Sequence, residues 1–211
     1  MLFLNAGRAT MQKKPEGYSP NQLVLSKDGY EVIFATNVLG HHLMWKYLQP
    51  FVEQATAGGR VVLTSSCYSF RQFVLPWLVP TSVEQLNNPT IKQGNGLNSP
   101  YGTSKLAQIL WAKKVTRDYQ NSNSNSNVFV NAAHPGAVAT PIFYKQGVQS
   151  WVVSIFDLVK DKLLWSSLEG ALTELYLGVA IDQLKSKNIR GKYFHPQSVE
   201  VVNPLALDEK L

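Results

Sequence analysis

The sequence predicts an α/β fold built on a parallel sheet. Short apolar, β-branched runs alternate with longer segments whose apolar residues recur at helical spacing. Three of those runs also end on small polar residues or glycine. They are Met1–Leu4 before Asn5-Ala6-Gly7, Val61–Thr64 before Ser65-Ser66, and Val128–Ala132 before His134-Pro135-Gly136. Open parallel sheets bind ligands outside the carboxyl ends of their strands, so functional side chains are expected there. With 211 residues, 45% hydrophobic and 16% charged, a single domain over residues 1–211 with a sizeable core is the default.

Met1–Leu4 reads as a buried strand entering a tight turn, and residues 8–25, with Pro15, Gly17 and Pro20, as a loop. Ser26 and Asp28 precede a helix, and Asp28 and Glu31 have capping-box spacing. Ile33, Gly40, Met44, Tyr47, Leu48 and Phe51 are its expected inward positions, with Asn37 among them and Pro50 bending or ending it. Gly58-Gly59-Arg60 is a turn before the strand Val61–Thr64. Cys67 to Pro100 is mostly loop, first aromatic (Tyr68, Phe70, Phe73, Trp77), then rich in Asn and Gly. A helix follows from Tyr101 to about Tyr119, a polar Asn/Ser connector at 121–127, and the strand Val128–Ala132. Two helices come next, one with Val152, Ile155, Phe156, Val159 and Leu163 on one face and one from Ser167 to about Leu184. Gly191–Phe194 closes as a short strand.

Charge and composition exclude several classes. Twenty basic against fourteen acidic residues give +6, but the basic residues are scattered and form no nucleic-acid footprint. One cysteine, Cys67, excludes an internal disulfide and reads as an inert thiol in a reducing compartment. His41, His42, His134 and His195 lack metal-ligand spacing, so no metal is expected. Gly94 and Gly96 lie in a loop with no strand before them. Without a membrane-length apolar run or signal layout, a cytoplasmic protein, or one peripheral to an intracellular membrane, is expected. The chemistry gathers on Tyr101 and Lys105, four apart and so stacked on one helix face. An ammonium beside a phenol favours phenolate and lowers its pKa from about 10, which makes an acid/base group. If the strands are neighbours, Ser66 and Tyr101 can both donate to one substrate oxygen.

Asn5-Ala6-Gly7 after an apolar strand, Thr36-Asn37-Val38-Leu39-Gly40 in a helix, Ser65-Ser66 at a strand end, Tyr101-x-x-x-Lys105, and Pro135-Gly136-x-Val138-x-Thr140 occur in this order. The set resembles the short-chain dehydrogenase/reductase family. Asp28-Gly29-Tyr30-Glu31, His134-Pro135-Gly136, Glu169-Gly170-Ala171 and Gly191-Lys192-Tyr193-Phe194 look most like its retinol dehydrogenase branch. The resemblance implies an NAD(P)-dependent oxidoreductase that interconverts carbonyl and alcohol on a small lipophilic substrate, with NADP favoured by the branch. It makes Tyr101 the general acid or base. Lys105 lowers the Tyr101 pKa and binds the nicotinamide ribose, Ser66 orients the substrate oxygen, and Asn37 holds a relay water. Asn5, Ala6 and Gly7 line the adenosine half of the cofactor; Pro135, Gly136, Val138 and Thr140 meet its nicotinamide and diphosphate end. By analogy it implies a homodimer through the helices of Asn37 and Tyr101. Nucleic acid is not an expected partner, nor is a membrane surface.

The family's Gly-rich phosphate turn is absent from these residues, as are its second and third strands. The resemblance therefore implies a partial Rossmann-like, doubly wound parallel sheet lacking the first βαβαβ half, an N-terminally truncated member with Met1–Leu4 as a bare edge. The alternative is a catalytically silent binding or regulatory protein of the same family.

Overall fold

A computed structural model describes residues 1–9, 24–73, 79–88, 100–122, 127–138, 164–208 and 211, without the side chains of 71–73. Thr140, the apolar face from Val152 to Leu163, Trp77, and Gly94 and Gly96 lie outside the described residues.

Strands β1 (Leu2–Leu4), β2 (Gly59–Thr64), β3 (Val128–Ala133), β4 (Tyr193–His195) and β5 (Val199–Glu200) form one sheet in the order of their numbers. The first four are parallel and β5 is antiparallel to β4. β2 and β3 are buried on both faces, hence their unbroken apolar, β-branched runs. Val61 and Leu63 face one way with Val130 and Ala132, while Val62 faces the other with Phe129 and Ala133. The α/β class and the parallel sheet are as the sequence predicts. β1 pairs with β2 alone among the described residues, and Phe3 keeps 37% exposure.

Two helical layers cover the sheet. On the first face lie α1 (Val32–Phe34), a π-helical turn (Ala35–Leu39), α2 (Gly40–Glu53) and α4 (Pro100–Asn121); α3 (Val83–Leu86) is a short turn nearby. Trp45, Val52, Ile109 and Ala112 pack there on Val61, Leu63 and Val130. On the second face, Leu177 of α5 (Ser167–Val179) and Leu184 of α6 (Ile181–Ser186) pack on Val62, Phe129 and Ala133. Burying one such leucine contributes about 2 kcal/mol. Ser166 and Glu169 close a capping box on α5.

Three local expectations are corrected. The first helix is capped by Glu31, whose carboxylate accepts from Phe34 N at 2.8 Å, and not by Asp28. Gly29, at φ 78°, turns the chain in between, so Asp28 belongs to that turn. The inward line is Ile33, Asn37, His41 and Trp45, whereas Met44, Tyr47 and Phe51 are exposed. Pro50 sits inside the last turn of α2, which ends at Glu53. The expected helix from Ser167 to Leu184 breaks at Ala180 (ψ 50°) into α5 and α6.

Candidate active site

Three chain segments converge at the carboxyl ends of β1, β2 and β3. Segment one is the exposed Asn5-Ala6-Gly7 at the end of β1. A Cβ on Gly7 would lie 3.3 Å from Asn37 Oδ1 and 3.5 Å from Lys105 Nζ. The absence of a side chain there is what admits both groups. Segment two is Thr64-Ser65-Ser66. Ser65 Oγ donates to Lys105 O at 2.7 Å, pinning β2 to α4, and Lys105 Nζ donates to Thr64 O at 2.6 Å. The third is His134-Pro135-Gly136, where Gly136 has φ 91° and its N–H donates to His134 Nδ1 at 3.3 Å. Val138 pairs with Trp165, and its Cγ2 fills the place a Cβ on Gly170 would take, so Pro135–Val138 is clamped to the start of α5.

Tyr101 and Lys105 lie one turn apart on α4, with Nζ 5.3 Å from the phenol ring centroid. Ser66 acts on the Tyr101 phenol as a hydrogen-bond partner and pulls its pKa down. Ser66 Oγ also accepts from Tyr68 N at 3.2 Å. The structure thus brings Tyr101, Lys105 and Ser66 together. The expected direction of the Tyr101 shift is not met. Burial dominates and holds the phenol above its ordinary value of 10.0. The physical reason is desolvation of the buried phenol; Lys105 Nζ donates to Thr64 O and lies 5.3 Å from the ring centroid. Burial also lowers Lys105 from 10.5 to about 8, with Glu174 opposing.

Asn37 is fully buried, and its side chain performs structural work. Oδ1 accepts from Arg8 N at 2.9 Å, while Nδ2 donates to Arg8 O at 3.0 Å and Ser104 Oγ at 2.9 Å. Its main-chain oxygen accepts from Gln108 Nε2 at 2.9 Å. Four further groups near this centre were not expected to take part in it: Thr64, Gln108, His41 and Glu174. Gln108 lies three residues after Lys105, so helical spacing alone puts it beside that residue. His41, held below its ordinary 6.5 mainly by burial, sits one turn after Asn37. Tyr68 packs edge-on against Tyr101 with ring centroids 5.7 Å apart, while Phe70, Tyr193 and His195 form a separate cluster with centroids 5.3–6.1 Å apart. His134 lies 5.4 Å from His195 and is held down to about 4, first by burial and then by the charges of His195 and Lys105. Among the described residues no group of three His, Cys, Asp or Glu side chains could hold a metal ion, and no helix is long and apolar enough to cross a membrane. Cys67 is exposed. A groove on the far side of α4, lined by Val79, Leu86, Leu110, Trp111 and Leu211, reaches neither Tyr101 nor Ser66.

No family model matches the chain. Mouse retinol dehydrogenase 14 is 29% identical over 186 residues, which are 88% of this chain and 50% of that protein. Mouse retinol dehydrogenase 13 is 30% identical over 190 residues, 88% of this chain and 51% of that protein. A chloroplastic short-chain dehydrogenase of Brassica napus is 28% identical over 195 residues, covering 89% and 55%. The chain spans about half the length of the curated relatives it matches. An NADPH-bound carbonyl reductase from chicken fatty liver shares the fold at TM-score 0.57 and 17% identity, covering 95% of this chain and 64% of that one. Levodione reductase does so at TM-score 0.56 and 16% identity, covering 92% and 63%. The ordered motifs, their convergence at the strand ends and these relatives agree: the chain is similar to short-chain dehydrogenases/reductases, and among them to retinol dehydrogenases 13 and 14.

Proposed function

We propose that this chain carries the catalytic part of an NAD(P)-dependent oxidoreductase that interconverts a carbonyl and an alcohol on a small lipophilic substrate, retinoid-, steroid- or lipid-like. The observation that carries the reading is the meeting of the Tyr101 phenol, the Ser66 hydroxyl and the Lys105 ammonium outside the end of β2. The exposed ring of Tyr68 against Tyr101 supports a lipophilic substrate.

The residues present fit the adenosine side of the cofactor at the exposed Asn5, Ala6 and Gly7, and its ribose and nicotinamide end at Lys105, Pro135, Gly136 and Val138. Lys105 Nζ reaches the space left open at Gly7. Lys105, Tyr101, Asn5–Gly7, Pro135, Gly136 and Val138 would hold it, with Thr140 a further candidate outside the described residues. A bound nicotinamide supplies or takes the hydride at the substrate carbon. Tyr101 then gives its proton to the substrate oxygen, or takes it in the reverse direction. Ser66 donates to the same oxygen and stabilises the charge on it. With a pKa near 8, Lys105 is an ammonium at neutral pH and steadies the phenol as its proton leaves. The Asn37 relay water would share the main-chain oxygen that Gln108 already binds. Leu43, Tyr47 and Phe51, exposed one turn apart on α2, support pairing of two copies.

Replacing Tyr101 with Phe leaves the ring packing and removes the proton donor, so turnover of a lipophilic aldehyde with NADPH should fall by about 10²–10⁴. Unchanged turnover refutes the assignment. The silent alternative rests on the lack of a Gly-rich phosphate turn in these residues. An NADPH titration of the 211-residue chain with no fluorescence change supports that alternative.

A further inference from the structure

Glu174 is a carboxyl that the proposed chemistry leaves unused. α5 packs across β2 from the second face of the sheet, while α4 covers the first. At the end of β2 the two layers meet on one residue. Glu174 Oε1 accepts from Thr64 Oγ1 at 2.7 Å, and Lys105 Nζ donates to the main-chain oxygen of the same Thr64 at 2.6 Å. Carboxyl and amine therefore face each other across a single threonine. Thr64 Oγ1 also lies 2.9 Å from Asn5 Oδ1. One hydroxyl proton cannot serve both acceptors. When Glu174 is ionised the proton goes to the carboxylate, and Asn5 meets the hydroxyl oxygen with its amide N–H after a flip.

We propose that Glu174 is the counter-charge of Lys105, a positioning residue that works through Thr64 to keep the ammonium charged and aimed between Gly7 and Tyr101. The inference deepens the oxidoreductase reading and rests on it for its catalytic meaning. Other groups facing Lys105 are Tyr101 on its own helix, His41 from α2 and His134 beyond β3, with His195 of β4 behind His134. None of them supplies a negative charge at neutral pH. Glu174 is the carboxyl that acts on the amine, opposing the burial that would otherwise neutralise it. The effect is mutual: burial holds Glu174 above the usual carboxylate value, and Thr64 and Lys105 oppose that rise. A residue kept only to anchor Thr64 would work equally well as glutamine, which still accepts the hydroxyl proton. The charge is what the amide lacks.

The test titrates Lys105 directly, in the full chain labelled with carbon-13 at the lysine ε carbons, its resonance assigned by its loss in Lys105→Arg. At pH 7 a midpoint near 8 leaves about a tenth of Lys105 neutral. In Glu174→Gln the midpoint falls and that neutral fraction rises about threefold or more. Glu174→Asp, which keeps the charge, moves it less and serves equally should the amide variant not fold. A midpoint unmoved or raised in Glu174→Gln overturns the proposal. No turnover is needed, so the two readings fail separately. A Lys105 midpoint that moves beside a fully active Tyr101→Phe keeps the electrostatic pair and sinks the reductase. A fixed midpoint beside an inactive Tyr101→Phe does the reverse.

Discussion

Raising the pH past neutrality should stabilise this protein through one side chain. Lys105 is buried and holds its proton with a pKa of about 8 in the fold, against 10.5 when free. Between those values the unfolded chain binds more protons than the native one, so stability increases with pH. The interval of about 2.5 pH units, at about 1.4 kcal/mol each, corresponds to about 3.4 kcal/mol of burial cost at pH 7. About 1.3 kcal/mol of it is relieved by pH 9 and about 2.5 kcal/mol by pH 10. Lys105→Met fills the same volume without the charge and lacks this dependence, while every other titrating group is common to both proteins. Urea unfolding followed by tryptophan fluorescence at pH 7, 8, 9 and 10, under reductant, gives the difference in stability at each pH. The wild type should gain on the variant by about 2.5 kcal/mol across that range. Parallel curves, or a wild type that loses ground, would show that the amine is not desolvated in the fold.

Asn37→Ala should cost about 2–4 kcal/mol in the same assay, because it strands the buried partners at Arg8 and Ser104. Gly7→Ala, by contrast, should cost little stability yet raise the NADPH dissociation constant several-fold in a fluorescence titration, since its methyl presses on Asn37 Oδ1 and Lys105 Nζ. Equal affinity would remove Gly7 from the cofactor edge. On the acid side, His134 is held down to about 4 from 6.5, so the unfolded chain binds the extra proton and stability drops as pH falls from 6.5 toward 4. His134→Asn should flatten that part of the curve; an unchanged slope assigns it to other groups.

The sequence made β2, β3 and α4 legible because each carries one dominant pattern. A β-branched run reads as a central strand, and Leu106, Ile109 and Trp111 mark a long helix whatever surrounds it. Tyr101, Lys105 and Ser66 were legible for a similar reason, since helical spacing and a strand end fix their places locally. α2 misled because it serves a site. Its inward line alternates Ile33 and Trp45 with Asn37 and His41, so hydrophobic phase points at Met44, Tyr47 and Phe51 instead. Burial reversed the expected direction at Tyr101, because desolvation depends on the layers above a residue and not on its neighbour four positions away. Glu174 could not be found at all. It reaches Thr64, and through it the neighbourhood of Lys105, only once α5 has docked across the opposite face of the sheet, and nothing in Leu172-Thr173-Glu174-Leu175 distinguishes it from a solvated helix face.

The two groups proposed to carry the chemistry titrate in a testable order. Burial keeps the Tyr101 proton on the phenol above 10.0, while Lys105 gives up its own near 8. In the reductive direction the proton donor is therefore still loaded when the ammonium begins to vanish. An alkaline limb in kcat/KM should fall near pH 8 and belong to the lysine. Lys105→Arg, which stays charged throughout, will turn over more slowly because a guanidinium does not fit the amine's place between Gly7 and Thr64. Whatever activity remains should lose the limb near 8 and fall only at higher pH, where the phenol itself titrates. An identical limb in the arginine variant would assign it to a group other than Lys105. The ammonium would then be a structural tie to Thr64, with no part in setting the charge under which Tyr101 releases its proton.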